Sequence, residues 1–65
     1  MNVTINGESR EVPEELSVTG LLAHLGIRPG RVAIERNLEI LLRAKWEEIR
    51  VQDGDRYEIV NFVGG

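Results

Sequence analysis

The chain has 65 residues, 42% of them hydrophobic, and carries 8 Lys+Arg against 11 Asp+Glu for a net charge of −3. Folding one core uses most of that apolar material and leaves little to wall a ligand cleft of ~300–1,000 Å³, which argues against an enzyme with its own pocket. The basic residues are scattered among acids, which argues against nucleic acid, and the absence of cysteine excludes disulfides, thiolate catalysis and thiolate metal sites.

The first element is "NVTIN", where Val3 and Ile5 alternate with polar neighbours as in a half-buried strand. Asn6-Gly7 follows and predicts a tight hairpin, because both residues tolerate positive φ. "ESREV" is the returning strand with Val12 inward, and Pro13 ends it because proline donates nothing to a ladder. Ser17 then predicts the N-cap of a helix whose Val18, Leu21, Leu22 and Leu25 share one face. Glu14 and Glu15 precede its positive end, Gly26 stops it, and Ile27 is placed to pack back on the last turn. Gly20 inside this helix costs about 1 kcal/mol relative to alanine, and close packing on the sheet would account for it.

"RPG" at Arg28–Gly30 predicts a turn, "RVAIE" a third strand, and "LEILL" a fourth after a turn at Asn37. A short helical turn is expected over Lys45–Ile49, and a reverse turn at Asp53-Gly54-Asp55. "RYEIVNFV" alternates Tyr57, Ile59 and Asn61 against Glu58, Val60 and Phe62. Apolar residues on both sides predict a central strand covered on one face. This order of elements predicts an α+β fold: a β-grasp (ubiquitin-like) roll, with a mixed four- to five-stranded sheet packed on one main helix. Residues 1–63 form its single domain, and Gly64 and Gly65 a flexible tail. "MNVTING" has no signal-peptide pattern and no apolar run approaches ~18 residues, so the expectation is a soluble cytoplasmic protein with no membrane partner.

Side chains capable of chemistry are few. His24, the sole histidine, has no second ligand or nearby serine and reads as an exposed helix residue. Two aspartates in the Asp53–Asp55 turn are too few for a cation that takes six to eight oxygens. Glu14/Glu15 and Glu47/Glu48 point apart in each pair and have no pocket to separate their acidities. Trp46 and Tyr57 read as core or core edge, and Arg28 and Arg31 as the flanks of a solvated turn. The tail is different. A carboxylate reacts only after activation, for example as an acyl-adenylate on another enzyme, and glycine passes where a side chain would not. Residues 62 to 65 span at most ~13–14 Å when extended, enough to carry a carboxylate into a partner.

Several stretches carry a resemblance: "VTINGE", "LLAHLGI", "VAIERNLEI", Trp46, and "VQDGDRYEIVNFVGG". They resemble the thiamin-biosynthesis sulfur carrier family over essentially the whole chain, with "ERN-EI" and the ending as the specific part. One departure is "ILLR", where Leu42 stands in place of a proline that many members carry. The resemblance implies that a ubiquitin-activating-type enzyme, using ATP and magnesium, adenylates the Gly65 carboxylate. Sulfur from a cysteine-desulfurase persulfide then replaces AMP, and thiazole synthase consumes the thiocarboxylate. The chain would be a co-substrate that binds no cofactor itself. Gly65 would be the attachment site, Gly64 the neck in a partner's channel, and Phe62 and Val63 the contacts at its entrance. Apolar residues on the exposed sheet face would dock the partners, with Ile40, Leu42, Tyr57 and Ile59 as candidates that the sequence does not sort. A molybdopterin sulfur carrier, a protein modifier joined to lysines, and a binding module with a passive tail are the competing readings.

Overall fold

Two tight hairpins and one helix organise the chain, of which the computed structural model describes residues 1–62. Strands β1 (Asn2–Ile5) and β2 (Glu8–Glu11) form the first hairpin, with Ile5 opposite Glu8 across Asn6-Gly7. Helix α1 (Val18–Leu25) follows, then the second hairpin of β3 (Val32–Arg36) and β4 (Glu39–Leu41), and finally β5 (Arg56–Asn61). The sheet order is β2-β1-β5-β3-β4, so the last strand lies at its centre, parallel to β1 and antiparallel to β3.

Local chemistry accounts for the helix ends. Ser17 Oγ accepts the Gly20 N–H at 3.0 Å, and Gly26 closes the helix at φ 74. The Ile27 N–H returns to the Leu22 carbonyl, and Ile27 packs against the core. Gly20 is explained by the segment leading into the helix: a Cβ there would stand 3.2 Å from Leu16 Cδ2, so the close neighbour is that segment rather than the sheet. The helical turn expected over Lys45–Ile49 begins earlier, as a 3₁₀ turn at Arg43–Lys45. Arg43 fixes it there, donating to the Val32 carbonyl while its guanidinium lies 4.5 Å from the Trp46 ring centre. Leu42 enters the turn at φ −67 and ψ 134, values that a proline also takes.

One face of the sheet packs on α1. Val3, Ile5, Val32, Ile34, Tyr57 and Ile59 meet Val18, Leu21 and Leu22, and Val12, Trp46 and Val51 close the edges. Tyr57 and Trp46 are therefore core residues, and Trp46 Nε1 donates to the Leu41 carbonyl.

Polar side chains complete the central strand. The β1–β5 ladder is short, pairing Thr4 with Arg56 and Ile5 with Tyr57. Asn6 lengthens it: its Oδ1 accepts the Ile59 N–H at 2.7 Å and its Nδ2 donates to the Ile59 carbonyl. Asn37 does the same on the other side, accepting the Arg56 N–H through Oδ1 and donating through Nδ2 to Asp55.

Asp55, read in the sequence as a turn residue, is 6% exposed and accepts from four groups. They are Arg36 Nε, Asn37 Nδ2, the Gln52 N–H and the Tyr57 hydroxyl. Burial opposes ionisation of Asp55, but these bonds outweigh it and hold the carboxyl below its ordinary value. Burial, and then the hydrogen bond to Asp55, push the Tyr57 phenol up. Asp53 also has a structural task, because its Oδ1 accepts the Asn2 N–H at 2.7 Å.

Asp55→Asn should destabilise the fold by about 2–4 kcal/mol, since it sets an amide against donors and leaves Arg36 without its counter-ion. A lowered carboxyl pKa stabilises the native state above the unfolded pKa, and that contribution is lost as pH falls through the folded one. Urea unfolding should therefore show the gap between wild type and Asp55→Asn narrowing below about pH 4. Asn6→Ala should cost about 1–3 kcal/mol, with faster hydrogen exchange at the Ile59 amide as its local signature.

Candidate functional site

The face of the sheet away from α1 is open. Alternation along β5 turns Tyr57 and Ile59 into the core and Glu58 and Val60 outward, with Phe62 following. The β3–β5 register sets Ala33 beside Val60 and Glu35 beside Glu58. In β4, Ile40 lies opposite Glu35, and Leu42 continues beyond the strand. Among the described residues, the exposed large apolar ones belong to this half of the molecule: Leu38 at 92%, Ile40 at 73%, Leu42 at 66%, Val60 at 58% and Phe62 at 49%. An apolar patch rimmed by charge marks a docking surface rather than a reaction site.

The four candidates that the sequence does not sort divide evenly. Ile40 and Leu42 are exposed, whereas Tyr57 and Ile59 are buried. Val60 and Leu38 complete the patch and are not among those four, although the period-2 pattern of β5 already sets Val60 with Phe62. Phe62 is half-exposed, and its N–H donates to the Arg31 carbonyl at 2.9 Å, which fixes the path of the backbone just past β5. Val63, Gly64 and Gly65 lie outside the described residues.

Other chemical candidates come to nothing as catalytic sites. His24 is exposed, and among the described residues no three His, Cys, Asp or Glu side chains gather as metal ligands. Lys45 pairs with Glu48 on the surface at 3.6 Å. Every buried side-chain nitrogen or oxygen among the described residues has a hydrogen-bond partner, so none is left free to bind a ligand.

Residues 3–65 match the model of the ThiS family. The chain belongs to that family. A crystal structure of the thiamine biosynthesis protein ThiS from Geobacter metallireducens superimposes with a TM-score of 0.87 at 40% identity, covering 100% of this chain and 99% of that one. The β-grasp roll expected from the order of elements is thus the fold observed. The sulfur carrier protein ThiS of Bacillus subtilis is 39% identical over 49 residues, 75% of this chain and 74% of that protein. A thiazole synthase from Paramagnetospirillum magneticum is 45% identical over 65 residues, and one from Magnetococcus marinus 35%. Both matches take in all of this chain, which spans about a fifth of the length of either synthase.

One residue of the ThiS-family patch is held against its own preference. Leu38 lies at φ 73, after Asn37 at φ 50, in the two-residue loop of the second hairpin. The first hairpin solves the same problem with Asn6-Gly7, at φ 50 and 84. Leu38→Gly should therefore raise stability by up to about 1 kcal/mol in urea unfolding, the relief of left-handed strain exceeding the entropy of the added glycine. Equal or lower stability would show that the exposed leucine packs against its surroundings.

Proposed function

We propose that this chain is a sulfur carrier of thiamin biosynthesis that takes part in the reaction as a co-substrate rather than a catalyst. Its membership of the ThiS family, with an open apolar face running into Phe62 ahead of Gly64-Gly65, is the observation that carries this reading. In this reading the carboxylate of Gly65 is the group presented to a ubiquitin-activating-type enzyme. That enzyme, using ATP and magnesium, joins the carboxylate to AMP and releases pyrophosphate. The terminal sulfur of a desulfurase persulfide attacks the acyl carbon, and the bond to AMP breaks as the carbon–sulfur bond forms. Thiol reduction of the donor's S–S bond leaves the thiocarboxylate, which thiazole synthase consumes in the cytoplasm.

The chain's own part is positioning. Gly64 passes a narrow channel that a Cβ would block, and Phe62 and Val63 sit at its mouth. The body stays outside, held through Ile40, Leu42 and Val60, while the tail reaches inward. No nucleophile or base of this chain is required. Two relatives that are themselves thiazole synthases favour the thiazole pathway over the pterin one.

Incubation with the activating enzyme, ATP, magnesium and a sulfide source should exchange one terminal oxygen for sulfur in the intact mass. An unchanged mass beside an active control carrier would sink the proposal. Deletion of Gly65 should abolish loading and shift the thermal midpoint by less than about 1 °C, because glycine brings no side chain to a core.

A further inference from the structure

Glu35 and Glu58 stand directly opposite each other on β3 and β5, both on the open face. Like charges in directly opposed positions of neighbouring strands destabilise a sheet. The ion pairs among the described residues engage Glu8, Glu14, Glu48 and Asp55, and leave Glu35 and Glu58 uncompensated. Arg36, next to Glu35 in sequence, is held by Asp55 instead. Arg56 precedes Glu58 by two residues on the same face yet forms no ion pair with either glutamate.

The surroundings give this repulsion a use. Two hollows share both glutamates. One, of about 240 Å³, is completed by Asn37, Leu38 and Arg56, and the other, of about 140 Å³, by Ala33, Ile34, Ile40 and Val60. The carboxylates therefore sit inside the apolar patch, where a docked surface would exclude water and strengthen their attraction for a cation. A planar guanidinium can bond two carboxylates at once, which a compact ammonium does less well.

We propose that Glu35 and Glu58 together receive one arginine side chain of thiazole synthase, and that this contact sets the register of the carrier on that enzyme. The inference rests on the sulfur-carrier reading and deepens it. The synthase is the partner chosen because two synthases among the relatives contain a segment matching this whole chain, so carrier-like and synthase sequences are joined in one polypeptide there. The net charge of −3 favours the same sign of partner surface.

The test compares the full chain with its Glu35→Gln/Glu58→Gln variant, binding to the thiazole synthase of the same organism at low and high salt. The variant should bind about tenfold more weakly and lose most of the salt dependence seen with wild type. Its thermal midpoint should stay level or rise, because the repulsion is gone, which separates lost binding from lost folding. Loading of Gly65 by the activating enzyme should be unaffected. Equal affinity of the two forms overturns this inference alone. Impaired loading with unchanged synthase binding overturns it too, by assigning the cation to the activating enzyme. Absence of wild-type binding overturns both this inference and the pathway assignment, whereas failure of loading overturns the carrier reading whatever the synthase does.

Discussion

The buried carboxylate of Asp55 is the constraint on which the sheet depends. A charge that is 6% exposed is tolerable only because donors from β3, the second hairpin turn, the preceding loop and β5 converge on it. Each donor fixes a different segment. Arg36 holds the end of β3, Asn37 the turn, Gln52 the loop, and Tyr57 the strand that must lie in the middle. Removing the charge releases these segments together, so the loss spreads beyond the bonds themselves.

That anchoring fixes the strand that precedes the proposed tail. β5 is held at its start by Asn37 and Asp55, in its middle by Asn6, and along one side by the five-residue ladder to β3. Its core-facing residues do the folding and its outward residues remain available. Phe62, bonded to Arg31, then leaves the sheet along a defined line. Docking and delivery share one strand, so a partner that grips Val60 also sets the direction in which the chain leaves at Phe62.

Features with local causes are legible in the sequence. Asn6-Gly7 announces its hairpin, Ser17 and Gly26 the ends of α1, and the two-sided apolar pattern of β5 its central place. The features that escape such a reading depend on partners far along the chain. Asn6 looks like a turn residue because nothing nearby shows that its amide meets Ile59, 53 residues away. Asp55 looks solvated because Arg36 lies 19 residues before it. The start of the 3₁₀ turn escapes for the same reason: Arg43 bonds back to Val32. Ile40 resists sorting because β4 has three residues, too few for alternation to declare a face, whereas Tyr57 and Ile59 share one side of β5 without the sequence saying which side is covered. Of Phe62, Val63, Gly64 and Gly65, only Phe62 falls within the described residues.

The distribution of imperfections is itself informative. Buried polar groups among the described residues are satisfied, and away from the open face Glu15, in the loop before α1, also takes a positive φ of 62. On the open side, a leucine occupies a left-handed position that glycine would fill more easily, and two glutamates face each other without a cation. Residues that contradict their local setting without compensation mark places where something other than stability was selected. Leu38 and the two glutamates fall on one face, around one pair of hollows beside β5. Stability alone would have placed glycine at Leu38 and a lysine at one of the two glutamates. A surface built to meet a basic partner has reason to keep the leucine exposed and both carboxylates unpaired until that partner arrives.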